Sequence, residues 1–125
     1  MSLSEYLINL RQVIEKIENY GFAELIDMRQ EIRAGKQAVI NIHIVLVDGS
    51  SLFIKEYVDA KYKIEKVSYA YQYQDREGKL IFRYDNAKHK PALQFHGHKH
   101  TSDGDVIVAR PPDLSDLVDE VLGCL

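Results

Sequence analysis

The sequence predicts an α+β fold, in which an antiparallel sheet of five to seven strands is flanked by an N-terminal and a C-terminal helix packed on one of its faces. Near both ends of the chain, apolar residues recur every three or four positions, whereas between the ends they alternate at every second position. Short turn signals separate the alternating runs, and strands joined by short turns pair antiparallel because a parallel pair needs a long crossover. A length of 125 residues is typical of one domain, so we expect residues 1–125 to form a single α+β domain.

Both helices have recognisable starts. Ser2 and Glu5 have the spacing of a capping box, and Gly21 is suited to the position just after the first helix ends. Asp113 is a good N-cap for the second helix, with Asp116 three residues later. The apolar stripe of the first helix consists of Leu3, Tyr6, Leu7, Leu10, Val13, Ile14, Ile17 and Tyr20, and that of the second of Leu114, Leu117, Val118, Val121, Leu122 and Leu125.

Seven runs between the helices are expected to be strands, over residues 24–33, 38–47, 51–58, 64–74, 79–84, 92–98 and 106–109. Asp48-Gly49 marks a tight hairpin turn, and the segment 75–78 marks a four-residue hairpin loop with glycine last. Residues expected to face the core from the first two strands are Ile26, Met28, Ile32, Ile40, Ile42 and Ile44.

Composition indicates an ordinary globular protein, with 46% hydrophobic and 28% charged residues. No apolar run approaches the roughly 20 residues that a membrane-spanning helix needs, so we expect no membrane association. The start, M-S-L-S-E-Y, has no basic segment followed by an apolar one, and we therefore expect no secretory signal. The single cysteine, Cys124, fits a reducing, cytoplasmic setting.

Charge is distributed unevenly along the chain. Between residues 83 and 100, four basic residues and one acidic residue give +3, whereas between 103 and 125 one basic and six acidic residues give −5. The chain as a whole, with a net charge of −3, is not a strong polyanion binder. The segment 83–100 can instead carry a local positive site, and solvated surface charge is the alternative interpretation of its lysines.

Four of the five histidines lie between residues 89 and 100. In F-H-G-H-K-H, His96, His98 and His100 fall at every second position, so an extended strand would place all three on one face. Imidazole titrates near pH 6.5 and also binds transition metals. The pattern therefore leaves three interpretations open: an acid–base or phosphate-handling site, a metal site, and a solvated histidine-rich edge strand. Gly97 indicates a bulge or a place where a ligand approaches the backbone closely.

The segment I-F-R-Y-D-N, residues 81–86, places Arg83 and Asp85 on one face of a strand and Phe82 and Tyr84 on the other. A guanidinium group suits phosphate, and an aspartate two residues away can pair with it or orient a histidine. A plain surface ion pair is the alternative.

A stripe of tyrosines, Tyr69, Tyr71 and Tyr73, shares one strand face with Val67, while Ser68 and Ala70 lie on the other. Small residues would let a helix lie close on their side and leave the tyrosines on the open side, where they would stack on unpaired bases. Cross-strand aromatic pairs are the alternative interpretation.

Two further polar residues fall inside apolar strands. Glu56 is in phase with Leu52, Ile54 and Val58, which predicts a half-buried carboxylate that acts as a general base or forms an ion pair with a lysine or arginine. His43 is interpreted as a packed or hydrogen-bonded core histidine. The sequence contains no P-loop, dinucleotide-binding, nucleophile-elbow or H-E-x-x-H motif, which argues against those enzyme classes.

Taken together, V-D-G-S-S-L, Glu56, Y-A-Y-Q-Y, L-I-F-R-Y-D-N-A, His89 and H-G-H-K-H resemble the TumE family, small prokaryotic proteins grouped as toxins of toxin–antitoxin systems. The similarity covers roughly residues 39–122, and its specificity lies in the R-Y-D-N…H…H-x-H-K-H series. The family often has a proline where Gly97 or its neighbour stands in this chain, so the local backbone of the motif differs.

The resemblance implies a cytoplasmic protein encoded beside a DNA-binding antitoxin, and RNA is the commonest target of such small toxins. Metal-independent RNA cleavage needs a base, an acid and a cation for the phosphorane. The candidate catalytic residues are Arg83, Asp85, His89, His96, His98 and His100, with Tyr84, Lys90 and Lys99 as substrate contacts and no cofactor. A non-enzymatic partner-binding module, including a homodimer, and a metalloprotein built on the histidine strand are the alternatives.

Overall fold

The computed structural model describes residues 1–87 and 97–125, which form two helices and seven strands. In chain order these are α1 (Leu3–Asn19), β1 (Ala23–Arg33), β2 (Gln37–Leu46), β3 (Ser51–Asp59), β4 (Glu65–Gln74), β5 (Leu80–Asp85), β6 (His98–Thr101), β7 (Val106–Val108) and α2 (Leu114–Leu122). Neither of these helices is long and apolar enough to cross a membrane.

The seven strands form one sheet in simple sequential order, and every neighbouring pair is antiparallel. This confirms the predicted α+β fold. The sixth strand begins at His98, whereas the sequence pattern placed it over residues 92–98. Most of that expected strand falls in the segment 88–96, which lies outside the described residues.

Both helices lie on one face of the sheet and form the core with it. The buried members of α1 are Leu7, Leu10, Ile14 and Ile17, and those of α2 are Leu114, Leu117, Val118 and Val121. Beneath them, Ile40, Ile42 and Ile44 are at most 3% exposed, as predicted. Ile32 was expected to face the core and is 64% exposed, because it lies at the far end of the edge strand β1, beyond the residues that pack against the core.

The helix ends follow the expected signals with one difference. The Ser2 Oγ accepts a hydrogen bond from the Glu5 amide at 3.1 Å, and Gly21 adopts a φ of +76°, which a glycine tolerates best. Asp113 occupies the N-cap position of α2, but its side chain makes no capping hydrogen bond. The Asp113 carbonyl accepts the first hydrogen bond of the helix, from the Leu117 amide at 2.9 Å.

The tyrosines of β4 lie under the helices, so the expectation that a helix covers Ser68 and Ala70 is wrong. Tyr69, Tyr71 and Tyr73 are buried, at 7%, 0% and 0% exposure, and cannot stack on a nucleic acid. The alternative of cross-strand aromatic pairs is confirmed, since the Tyr73 and Phe82 rings lie 5.6 Å apart. Large aromatic rings bury more apolar surface than alanine or serine, which explains why the helices cover this side.

The sheet face opposite the helices, here called the open face, carries two rows of side chains that run across the strands. Residues paired in register point to the same side of a sheet. The first row runs through His43, Phe53, Gln72, Arg83 and His100, and the second runs through Asn41, Lys55, Ala70, Asp85 and His98. The register thus places Arg83, Asp85, His98 and His100 side by side on the open face.

Gly97 lies where two backbones approach each other. A Cβ added there would stand 2.2 Å from the Ala109 carbonyl oxygen, and the Ala109 amide donates to the Gly97 carbonyl at 3.1 Å. Of the two interpretations offered for this glycine, a close approach is correct, but the approaching group is the chain's own backbone.

A Gly97→Ala variant is therefore expected to destabilise the protein. Because the added methyl group cannot fit without moving a backbone carbonyl, the free energy of unfolding should fall by roughly 1–3 kcal/mol. Urea denaturation measures this directly, with Ser102→Ala, an exposed turn substitution, as the control. Equal stability of both variants would show that residues 97 and 109 are not packed in this way.

Candidate active site

The Asp85 carboxylate is the centre of the cluster on the open face, although the residue is only 3% exposed. Its Oδ2 lies 2.8 Å from the Arg83 Nε and 3.1 Å from the His100 Nε2. Its Oδ1 lies 3.4 Å from the His98 Nδ1 and accepts the Ala87 amide at 3.2 Å. We refer to Arg83, Asp85, His98 and His100 as the Asp85 cluster.

Asp85 carries a negative charge in this setting. Burial on its own would raise the pKa of the carboxyl group, but the hydrogen bonds from Arg83, His98 and the Ala87 amide, with the charge of His100, outweigh it. The net effect holds the pKa of Asp85 below its ordinary value. An ionised carboxylate only accepts hydrogen bonds, so the His98 Nδ1, 3.4 Å away, faces it as a donor, while the His100 Nε2 lies within ion-pair distance at 3.1 Å.

The members of the cluster differ in their access to solvent. His98 is 2% exposed, whereas the side chains of His100 and Arg83 are 23% and 35% exposed. Arg83 is fixed on its other side by the Gln72 Oε1, which accepts from Nη1 at 2.8 Å. Of the Asp85 cluster, the open face therefore presents the imidazole of His100 and the guanidinium group of Arg83, both beside the buried Asp85 carboxylate.

Asn86 completes the local geometry at the end of β5. Its Oδ1 accepts from the Tyr69 amide and its Nδ2 donates to the Val67 carbonyl, both at 3.0 Å. The side chain thus bridges β5 to β4 just beyond the last backbone pair, and it keeps Asp85 in register.

Of the six predicted catalytic residues, the structure brings four together in the Asp85 cluster. His89 and His96, and the predicted substrate contact Lys90, lie outside the described residues. Tyr84 and Lys99 lie on the helix side of the sheet, where they donate to Glu120 of α2 at 2.7 and 2.8 Å. They connect the sheet to α2 and lie on the face opposite the Asp85 cluster.

Glu56 is a buried core carboxylate and not a member of this site. Its exposure is 2%, and it accepts hydrogen bonds from the Tyr6 and Tyr71 hydroxyls and pairs with Lys66 at 3.5 Å. Burial, then the charge of Glu56, raises the pKa of both tyrosines above the ordinary value, so their hydroxyls remain donors. Of the two predicted roles, the ion pair with a lysine is confirmed, and the residue is fully rather than half buried.

His43 lies on the open face, so its interpretation as a core residue is wrong. Its ring stacks on Phe53 with centroids 4.3 Å apart, and its Nε2 lies 3.3 Å from the Ser51 Oγ.

Sequence reasoning also missed Gln72, which holds Arg83, because that role depends on the register between β4 and β5. Within residues 1–87 and 97–125, no three histidine, cysteine or acidic side chains are arranged to hold one metal ion.

The Asp85→Asn substitution should change stability in a pH-dependent way. A folded-state pKa below the ordinary value means that ionised Asp85 stabilises the fold above about pH 4, and that this contribution is lost as pH falls through the folded-state value. The variant should lose about 1–3 kcal/mol at pH 7 and progressively less below pH 4. Urea unfolding at pH 7 and pH 3 tests this, with the exposed Asp103→Asn as the matched control. An equal loss at both pH values would contradict it.

Comparison with known proteins identifies the family. The family model described as Toxin TumE matches residues 7–124, a range that includes the whole sheet and the Asp85 cluster. No significant match was found among curated proteins or among solved structures. Membership of a toxin family indicates a toxin role and implies an antitoxin as partner. The chain belongs to the Toxin TumE family.

Proposed function

We propose that this TumE-family toxin is a metal-independent ribonuclease that acts in the cytoplasm through histidine acid–base chemistry at the Asp85 cluster. The observation that carries the proposal is the arrangement of Arg83, His98 and His100 around one buried carboxylate, with distances of 2.8–3.4 Å. Groups of this kind, held in fixed positions before substrate arrives, are what proton transfer and charge stabilisation require.

The chemistry follows that of RNA cleavage by its own 2′-hydroxyl. A base removes the 2′-hydroxyl proton, the O2′–P bond forms, the P–O5′ bond breaks, and an acid protonates the departing 5′-oxygen. The products are a 2′,3′-cyclic phosphate and a free 5′-hydroxyl, and no water, metal or oxidant is consumed in this step. We assign one proton transfer to the accessible His100 and stabilisation of the phosphorane to Arg83. The second transfer is assigned to His98, which is 2% exposed and would act only once its imidazole is uncovered on substrate binding.

Asp85 has a supporting part in this scheme. Its Oδ2 lies 3.1 Å from the His100 Nε2, so the carboxylate faces that nitrogen and stabilises the imidazolium that forms, and we assign the proton exchange with substrate to Nδ1. Arg83 keeps Nε on Asp85 and Nη1 on Gln72, so the guanidinium plane is fixed. A fixed planar fork matches a phosphate better than a mobile ammonium group.

The cluster comes from one chain, so the proposal does not require the homodimer that the sequence offered as an alternative. The metalloprotein alternative involves His96 as well as His98 and His100, and a chelator separates the two hypotheses. A role through partner binding alone would leave the purified protein without activity on RNA.

The test is cleavage of RNA by the purified chain in the presence of a chelator. Cleavage should persist, with a bell-shaped pH profile that reports two groups in the histidine range. His100→Ala should lower the rate by roughly 10²–10⁴-fold, and Arg83→Lys should also be damaging because an ammonium group cannot form two parallel contacts to phosphate. His98→Ala is a less clean test, because a residue that is 2% exposed also contributes to stability.

His43→Ala is the matched control, since it removes a histidine from the same face and the same cross-strand row as His100. It should cleave like the wild type under conditions of substrate excess. Full activity in His100→Ala, or activity that a chelator abolishes and one divalent metal restores, would overturn the proposed mechanism.

A further inference from the structure

Beside the Asp85 cluster, the open face contains a depression of about 250 Å³ that lies between Phe53 and Arg83. It is lined by Phe53, Lys55, Ala70, Gln72, Gln74 and Arg83. The small side chain of Ala70 leaves room between the larger residues on either side. Nothing in the mechanism above uses this depression, although it shares Arg83 with the cluster.

The aromatic side of the depression is already part of a stack. The rings of His43 and Phe53 are 11° from parallel, and their centroid separation of 4.3 Å is close to the spacing of neighbouring strands, about 4.8 Å. Rings stacked in this way across two strands stand upright on the sheet. Since His43 occupies the β2 side of Phe53, the second face of the Phe53 ring is turned towards β4, where Gln72 lies opposite it and the small Ala70 leaves the depression open beside Gln72.

The remaining lining groups are suited to a polar, anionic ligand with a flat ring. Gln72 donates to the Gln74 Oε1 at 3.0 Å and accepts from Arg83, so among the described residues the Gln74 Nε2 is the amide donor that can still serve a ligand. Lys55 is exposed and, among the described residues, has no ion-pair partner. No acidic residue lines the depression, because the nearby Asp85 is buried beneath its own partners.

We propose that this depression binds one unpaired nucleobase of the RNA, stacked on Phe53, with the adjoining phosphates held by Lys55 and Arg83. The inference rests on the proposed ribonuclease function and names its substrate class as single-stranded RNA. A base paired in a duplex cannot enter a space between upright side chains, so duplex RNA is excluded. Stacking on an aromatic ring tolerates every base, since each has a π-face.

Binding of an uncleavable oligonucleotide tests the inference apart from catalysis. A labelled 2′-O-methyl single strand has no free 2′-hydroxyl to attack the phosphorus, so anisotropy reports binding alone. Ala70→Leu, which fills the depression, and Phe53→Ala, which removes the stack, should each weaken binding about 5- to 150-fold. Lys55→Gln should reduce the slope of log Kd against log salt concentration by the amount expected for the loss of one phosphate contact, about 1.

Two variants serve as matched controls. Ser102→Leu adds the same side chain at an exposed turn position that does not line the depression, and Tyr62→Ala removes an aromatic ring that is 89% exposed. Both should bind like the wild type, and thermal melting verifies that every variant is folded.

The outcomes separate this inference from the proposed function. Wild-type affinity in Ala70→Leu and Phe53→Ala, or equally tight binding of the corresponding duplex, would overturn the base-binding site even if RNA is cleaved. Conversely, single-strand binding that depends on Phe53 in a protein that never cleaves RNA would retain the site and refute the ribonuclease.

Discussion

In residues 1–87 and 97–125, both helices lie on the same face of the seven-stranded sheet, and this determines where the polar side chains of the site lie. In β5, burial of Phe82 at 3% exposure fixes which face is the core. Because consecutive strand residues point to opposite sides, Tyr84 follows Phe82 to the helix side, where it meets Glu120. Arg83 and Asp85 must then occupy the open face. The apolar core thus positions a polar site with which it shares no side chain.

On the open face, the Asp85 carboxylate organises its neighbours. A buried carboxylate is stable only when donors and positive charge surround it; Arg83, His98 and the Ala87 amide provide the hydrogen bonds, and the His100 Nε2 lies 3.1 Å away. Those same side chains are the groups that RNA cleavage needs, so the interaction that stabilises the charge also fixes the geometry for chemistry. A second buried carboxylate, Glu56, is satisfied by two tyrosines and a lysine within the core, which explains why it contributes to the fold and not to the site.

Much of this arrangement was readable from two-residue periodicity, which placed Arg83 with Asp85 and His98 with His100. Two features were not readable. The helices cover the tyrosines of β4 and not Ser68 and Ala70, because the tyrosine rings bury more apolar surface. The register between β4 and β5 also shifts between Tyr73 and Gln74, and Gln72 is paired with Arg83 as a result. Without this shift, Gln72 would be paired with Phe82. Bulges depend on local backbone geometry that a single sequence does not display.

If the Asp85 cluster is responsible for toxicity, removing one of its members should abolish growth arrest. The most direct measurement is growth arrest on induced expression in a bacterial host, with wild type, His100→Ala and His43→Ala compared at equal protein levels. Wild type and His43→Ala should arrest growth, whereas His100→Ala should permit it, since only the last removes a member of the cluster. Arrest by His100→Ala as strong as that by the wild type would show that toxicity does not depend on the Asp85 cluster.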